Sequence, residues 1–166
     1  RLRERGLIEV EIGHRDAARI AARTRRHDAG NHDAHAKNFS LLYAAQSAVL
    51  APLYDVLSTA VYPTLTSRMA MKIGSKYKFS EVQAQHWEQF AEAVGLSKAQ
   101  ARKRILALAK SMPSTARELQ SDPGRGFTCH GVVEQIVTLI EQRCALTVRR
   151  LSAPAADLEE GTEPCQ

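Results

Sequence analysis

The sequence lacks the features of a membrane protein or of a disulfide-stabilised secreted protein. No apolar run approaches the about 20 residues that a bilayer span requires. No apolar segment follows the charged start, Arg1 to Arg5, as a signal peptide would require. The three cysteines, Cys129, Cys144 and Cys165, are far apart and form no Cys-x-x-Cys pair. Because this pattern suits neither a disulfide framework nor a cysteine-based zinc site, we expect a protein of the reducing cytoplasm with no membrane partner.

Length and charge describe an ordinary globular chain with a basic balance. Its 166 residues suffice for one domain with a modest core. The formal net charge of +5 favours nucleotide phosphates, nucleic acid or an acidic partner, although a solvated basic surface explains it equally well. Because the first residue is Arg1 rather than Met, we expect the chain to be part of a longer protein.

Composition divides the chain into three parts. Residues 1–29 contain eight arginines and no lysine, whereas lysine is common further along the chain. Within this Arg-rich segment we expect a polar helix over residues 3–26. The tail, residues 152–166, combines Pro, Gly, Ala and acidic residues without periodicity and is predicted to be disordered. The main domain would then cover residues 30–151.

The main domain begins with a pattern that predicts two short hairpins. Strands over residues 39–43 and 48–51 would form the first hairpin. Residues 69–79 would form the second, around a turn at Gly74. Since helical periodicity follows both hairpins, we predict an α+β fold that is mainly helical.

Three amphipathic helices are predicted after the hairpins. The first would begin with a capping box of Ser80 and Gln83 and end at Gly95. The second would begin at Ser97 and reach a kink or a stop at Pro113, and the third would span residues 132–151. The side chains expected on the buried faces are Val82, Trp87, Phe90, Ala91 and Val94, then Ala101, Ile105, Leu108 and Ala109, and finally Ile136, Leu139, Ile140, Cys144 and Val148.

Three oxygen-bearing side chains, Asp33, Asn38 and Asp55, have the spacing of a phosphoryl-transfer site. In protein kinases one carboxylate orients the attacking hydroxyl and accepts its proton, while an asparagine oxygen and a second carboxylate hold magnesium ions. The first carboxylate and the asparagine share one loop as Asp-x-x-x-x-Asn, which is the offset from Asp33 to Asn38. A hairpin over residues 39–51 would return the chain so that Asp55 lies near Asn38.

The residues around this spacing resemble the HipA family of bacterial serine/threonine kinase toxins. The run from Gly30 to Leu42 (GNHDAHAKNFSLL) is similar to the catalytic loop of that family. The run from Leu50 to Thr59 (LAPLYDVLST) is similar to its metal-binding segment, where Tyr-Asp replaces the Asp-Phe-Gly of other kinases. The run from Met69 to Gly74 (MAMKIG) and the later His86-Trp87 also fit its helical C-terminal lobe.

The resemblance implies a role for each of the site residues. Asp33 would be the catalytic base, Asn38 and Asp55 would bind Mg²⁺ beside ATP, and His35 and Lys37 would contact the γ-phosphate or the substrate. The implied reaction transfers the ATP γ-phosphate to a serine or threonine of a protein, for which a tRNA synthetase is the family's example. The implied partner is a small DNA-binding antitoxin, which would bring the chain into indirect contact with DNA.

Two features of such a kinase are missing before residue 30. Residues 1–29 contain neither a Gly-rich phosphate-binding loop nor the ATP-contacting lysine of an N-terminal lobe, and they have Arg25 to Ala29 where the family has an apolar helix. We therefore expect little or no kinase activity from this polypeptide alone, and we hypothesise that residues 1–29 are read out of frame. An N-terminal lobe encoded upstream in another frame would support this hypothesis, and an unrelated open frame would contradict it.

Two other interpretations of the sequence stay open. The chain could be a non-catalytic helical module that binds an antitoxin, DNA or a protein partner through a basic helix face, although solvent exposure explains such a face as well. The basic residues concerned are Lys98, Arg102, Lys103 and Arg104. His32 and His35 have a spacing compatible with zinc, but a loop containing Gly and Asn is a poor scaffold for that ion. A large separation of Asp33 and Asp55 would favour the module.

Overall fold

The computed structural model describes residues 21–44, 47–128 and 130–153, and in these ranges it contains two hairpins and four α-helices. The helices are α1 (helical over residues 21–28), α2 (Ala84–Ala93), α3 (Lys98–Ser121) and α4 (Gly131–Ser152). The strands are β1 (Leu41–Ala44), β2 (Ser47–Leu50), β3 (Arg68–Ile73) and β4 (Lys76–Lys78). Short 3-10 helices cover Ala36–Asn38, Thr59–Val61, Phe79–Glu81 and Pro123–Arg125. The mainly helical α+β fold predicted from the sequence is confirmed.

The two hairpins form where local patterns predict them. Strands β1 and β2 pair antiparallel, with Leu41 opposite Leu50. Strands β3 and β4 pair across a turn at Gly74, which has a φ of +56°. A Cβ at Gly74 would lie 2.6 Å from the carbonyl oxygen of His86, so this turn needs glycine for both its backbone angle and its space.

The ends of the helices follow capping rules, with one shift from the prediction. Helix α2 begins after a capping box formed by Gln83 and His86, so the predicted box of Ser80 and Gln83 is wrong by three residues. Gly95, with a φ of +75°, follows the end of α2 as predicted. Ser97 caps α3 as predicted, because its hydroxyl accepts a hydrogen bond from the backbone of the third helical residue.

The hydrophobic core lies between the second hairpin and helices α2, α3 and α4. It consists of Met69, Ile73, Val82, Trp87, Ala91, Val94, Ala101, Ile105 and Leu151, with Phe90 half-buried at its edge. Burial of this apolar face is the main source of stability for such a domain. None of the helices in the described ranges has both the length and the apolar character that a membrane span requires.

Helix α3 continues through Pro113 to Ser121, so the stop considered at Pro113 is wrong. A proline in a helix interior removes one backbone hydrogen bond but need not end the helix where packing supports both sides. Here α3 packs against α4 along its length. An exposed ion-pair network also joins the two helices, because the Arg117 guanidinium contacts Glu134 at 2.9 Å and Glu141 at 2.7 Å.

The buried face of α4 differs from its predicted apolar face. Val137, Arg143, Cys144, Thr147 and Leu151 are buried, whereas Ile136, Leu139, Ile140 and Val148 are only half-buried. The physical reason is that α4 meets polar groups of α1, so its inward face includes an arginine and a threonine.

Most of the polar side chains of helix α1 are buried. Arg23, Thr24, Arg26, His27 and Asp28 are all buried, and the helix continues to residue 28 rather than ending at 26. Residues 21–29 thus pack within the domain that was predicted to begin at residue 30, and residues 3–20 of the predicted helix lie outside the described ranges. Within those ranges Nε of Arg26 and Nε2 of His27 are buried without hydrogen-bond partners. Unpaired buried polar atoms are costly, but α1 also makes specific hydrogen bonds, from Arg26 to the carbonyls of Asn38 and Tyr54 and from Thr147 to Asp28.

Candidate active site

The loop after α1 is held close to the segment that contains Asp55. Gly30, with a φ of +77°, turns the chain out of the helix, and its carbonyl accepts a hydrogen bond from the backbone of Ala60 at 3.0 Å. The side-chain amide of Asn31 donates to the carbonyl of Asp55 at 3.0 Å. The two segments are therefore joined at the backbone level as well as through their functional side chains.

Asn38 and Asp55 meet directly. Asn38 ends a 3-10 helix and is buried, and its side-chain amide donates a hydrogen bond to the carboxylate of Asp55. Within the described residues, Oδ1 of Asn38 is buried with no hydrogen-bond partner. A half-turn of this carboxamide, which a cation between the two groups would favour, would point its oxygen toward the Asp55 carboxylate.

This pair of oxygen donors fits a magnesium ion. Mg²⁺ prefers carboxylate and amide oxygens and is bound in kinases by few protein ligands together with nucleotide phosphates. The unpaired Asn38 oxygen and the exposed Asp55 carboxylate supply that donor set. Asp55 also has a φ of +53°, a backbone conformation that is uncommon outside glycine and that occurs at functional sites.

Arg26 and Tyr54 tie the two segments together. Tyr54 belongs to the run that resembles a metal-binding segment, whereas Arg26 was not identified from the sequence. Nη2 of Arg26 donates to the carbonyls of Asn38 at 2.8 Å and of Tyr54 at 2.9 Å. Burial lowers the pKa of Arg26, while the nearby Asp55 opposes this shift. The Tyr54 hydroxyl donates to the carbonyl of Lys37 at 2.7 Å and is 2.8 Å from the hydroxyl of Ser40.

Asp33 is exposed and lines a separate cleft of about 660 Å³. The cleft is also lined by Arg68 and Tyr77, whose guanidinium and ring stack with 4.1 Å from the guanidinium carbon to the ring centroid. Within the described residues, Asp33 makes no hydrogen bond with Asn38 or Asp55. The structure therefore joins two of the three predicted site residues directly and places Asp33 on the wall of a neighbouring opening.

His35 and Lys37 lie in the same loop with different exposure. His35 precedes the 3-10 helix and is half-buried, and its Nδ1 has no hydrogen-bond partner within the described residues. The Lys37 side chain is exposed. His32, by contrast, is buried, and its ring nitrogens contact Thr66 and Arg143 rather than His35.

A buried polar network joins α1 to α4 next to the loop that follows α1. Nδ1 of His27 lies 2.7 Å from the carboxylate of Asp28, which also accepts a hydrogen bond from Thr147 at 2.9 Å. Burial lowers the pKa of His27, an effect that Asp28 opposes and that Arg143 reinforces. Burial and the neighbouring Asp28 raise the pKa of the Cys144 thiol to about 12, so this thiol is protonated and unreactive at neutral pH.

The fold and this arrangement define a lobe of the protein-kinase type: a loop with Asp-x-x-x-x-Asn, then a hairpin, then a carboxylate that meets the asparagine. The family model of HipA-like C-terminal domains matches residues 26–116, which is more than half of the chain. The chain belongs to this family. The match begins four residues before the predicted domain boundary at residue 30, in agreement with the packing of residues 21–29.

Known proteins agree with this assignment. The chain is 43% identical over 93 residues to Y4mE of Sinorhizobium fredii and 26% identical over 90 residues to the serine/threonine-protein kinase toxin HipA of Shewanella oneidensis. The structure resembles that of the Shewanella oneidensis HipA, HipB and operator DNA complex, with a TM-score of 0.71 and 18% identity over 86% of this chain and 35% of that one. The aligned regions cover 56% and 54% of this chain but only 22% and 21% of the two curated relatives.

Proposed function

We propose that this chain is the catalytic C-terminal lobe of a HipA-type kinase, which transfers the γ-phosphate of ATP to a serine or threonine hydroxyl of a protein. The contact between Asn38 and Asp55, 17 positions apart in sequence, is the observation that carries this proposal. A shared family with kinase toxins supports the reaction class. The whole reaction also needs ATP contacts that these residues do not supply.

In the proposed reaction Asp33 acts as the base. Its carboxylate accepts a hydrogen bond from the acceptor hydroxyl and then its proton, as the hydroxyl oxygen bonds to the γ-phosphorus and the bond to the β–γ bridging oxygen breaks. Asn38 and Asp55 would hold Mg²⁺, which when bound neutralises charge on the phosphates. Lys37, exposed in the same loop, and His35 would contact the γ-phosphate or the substrate.

The acceptor protein would enter through the cleft beside Asp33. The cleft volume of about 660 Å³ is sufficient for side chains of a protein segment. Thr59 and Tyr77 provide polar groups on its walls, and Arg68 provides a positive charge. This arrangement would place a hydroxyl next to the base, which lines the same cleft.

Exposed apolar side chains of the first hairpin are the proposed contact for the ATP-binding part of the kinase. Leu42 and Val49 lie opposite each other on one face, each 52% exposed, and Tyr43 on the other face is 82% exposed. Large exposed apolar patches mark interaction sites. The relatives extend well beyond the aligned region, and their additional chain would cover this surface.

A DNA-binding antitoxin is the proposed macromolecular partner, because the similar HipA structure was solved with HipB and operator DNA. The basic residues of α3 that could contribute to such an assembly differ in availability. Lys98 already pairs with Glu88 and Glu92, at 3.5 and 3.0 Å. Arg102 and Lys103 are exposed without an ion pair in the described ranges, so they are the better candidates.

Metal and nucleotide binding test the proposal. Titration of the chain with Mn²⁺, a paramagnetic substitute for Mg²⁺, and with Mg²⁺ and ATP in a calorimeter should show a metal site that Asp55→Ala weakens roughly tenfold or more, the effect of losing one charged ligand. Glu118→Ala is the matched control, because it removes an exposed carboxylate of α3 that has no ion pair in the described ranges. ATP affinity is expected to be low in the absence of the remaining kinase lobe.

The outcomes separate the two functions considered from the sequence. Loss of metal binding in Asp55→Ala but not in Glu118→Ala would support the kinase lobe. Equal metal binding by the parent and both variants, or none by the parent, would contradict a metal site at Asn38 and Asp55. The helical binding module would then be the better description of the chain.

A further inference from the structure

We propose that Arg143 of α4 is a positioning residue for Asp33 and that it acts through the imidazole ring of His32. This inference rests on the proposed function, in which Asp33 is the base. Asp33 is exposed and its side chain has no hydrogen-bond partner within the described residues. The direction of its carboxylate therefore depends on the backbone beside it, and His32 is the residue that fixes that backbone.

His32 is held from four directions. Its backbone N–H donates to the Thr59 hydroxyl at 2.9 Å, and its carbonyl accepts from the backbone N–H of Ala70 at 2.7 Å. Its Nδ1 lies 3.0 Å from the carbonyl of Thr66, and its Nε2 lies 3.0 Å from Nη2 of Arg143. The residue before the proposed base is thus tied to strand β3, to the 3-10 helix Thr59–Val61, to the loop at Thr66 and to helix α4.

These partners allow one protonation state of the ring. A carbonyl oxygen can only accept, so Nδ1 of His32 must carry the proton that is donated to Thr66. A guanidinium can only donate, so Nε2 must be unprotonated to accept from Arg143. His32 is therefore neutral with its proton on Nδ1. Burial and the charge of Arg143 lower the pKa of His32, which agrees with this geometry.

Arg143 is itself fixed, as a positioning residue must be. It is buried, its Nη1 donates to the carbonyl of His27 at 3.0 Å, and its guanidinium carbon lies 4.2 Å from the centroid of the Phe79 ring. Arg143 is 111 residues from His32 in sequence, so their contact joins α4 to the distant loop that contains Asp33. None of the proposed roles of Asn38, Asp55 and Mg²⁺ requires this contact.

Nitrogen-15 NMR of the His32 ring is the first test and needs no variant. At pH 7 we expect Nδ1 to be protonated and Nε2 to be unprotonated, the reverse of the tautomer that free histidine favours. In Arg143→Met the Thr66 carbonyl still requires the proton on Nδ1, so the tautomer should persist, whereas the pKa of His32 should rise because the charge of Arg143 is gone. A parent ring protonated on Nε2, or an unchanged pKa of His32 in Arg143→Met, would overturn the proposal.

Hydrogen exchange at the Ala70 amide, which donates to His32, tests the effect on the loop. In Arg143→Met this amide should exchange roughly tenfold faster relative to the core amide of Ile105, as expected when a supporting hydrogen bond is lost. Arg149→Met, on the exposed side of α4, should leave the ratio unchanged, and Arg143→Lys should restore part of the protection. An unchanged ratio in Arg143→Met would overturn the proposal.

The two proposals can fail separately. Mn²⁺ binding at Asn38 and Asp55 is measured on the same variants. If Arg143→Met binds Mn²⁺ like the parent while the His32 ring and the Ala70 amide respond as expected, both proposals stand. If the parent binds no metal but His32 has the expected tautomer, the proposed function fails while the structural coupling of Arg143 to the loop stands.

Discussion

Replacing Gly30 with alanine measures how closely the start of the loop that contains Asp33 is packed. Gly30 has a φ of +77°, and a left-handed backbone costs an L-residue about 1–2 kcal/mol. A Cβ there would lie 2.5 Å from Cδ2 of Leu139 and 2.9 Å from Cβ of Ala60, and overpacking typically costs about 1–3 kcal/mol. The lower entropy of the unfolded alanine chain offsets about 0.4–1 kcal/mol. We therefore expect Gly30→Ala to lower the free energy of unfolding by about 2–4 kcal/mol.

Gly126→Ala is the matched control for this prediction. Gly126 has a φ of +70°, but no atom lies within 4 Å of where a Cβ would be. Gly126→Ala should therefore lower the free energy of unfolding only by the cost of the left-handed backbone, about 1 kcal/mol. Urea unfolding followed by the fluorescence of the single tryptophan, Trp87, measures both changes, and the midpoint for Gly30→Ala should fall by about 1–2 M. Equal midpoints for the two variants would refute the argument from close packing.

Two further predictions concern pH and helix α3. Burial lowers the pKa of His27, His32 and His86, so these rings are neutral when folded and take up protons on unfolding once the pH falls below about 6.5. The free energy of unfolding should thus decrease as the pH falls through this value, and urea titrations that show no decrease would contradict the prediction. Pro113 lies inside α3, where proline costs about 3 kcal/mol relative to alanine, while unfolded-state entropy offsets about 1 kcal/mol. Pro113→Ala should therefore raise the free energy of unfolding by about 1–2 kcal/mol, and a lowered thermal midpoint would show that the proline ring contributes packing that alanine lacks.

The secondary structure was predictable where local chemistry determines it. The turn at Gly74, the cap at Ser97 and the C-terminal glycine Gly95 each mark a boundary that the structure reproduces. The inward face of α4 was not predictable, because Arg143 and Thr147 turn toward groups of another helix. Periodicity assigns arginine to solvent, and only the identity of the neighbouring helix could have shown otherwise.

The candidate site, too, was predictable only in part. The hairpin predicted between Asn38 and Asp55 indicated that these two residues would lie together, and the structure places them in contact. Arg26 was missed, because it belongs to the Arg-rich segment that the sequence sets apart from the domain. Its two hydrogen bonds to backbone carbonyls leave no pattern in the sequence. Asn31 had a visible signal, since it lies within the run that resembles the catalytic loop.

The two halves of the site are positioned by independent means. Asn38 and Asp55 are brought together by one short hairpin, and Arg26 of α1 hydrogen-bonds to the backbone of both segments. The loop that contains Asp33 is fixed from α4, through a contact that spans 111 positions. Loosening α4 should therefore disturb Asp33 more than the contact between Asn38 and Asp55. Because local contacts form at lower entropic cost than distant ones, that contact is the part of the candidate site that should persist when α4 is loosened.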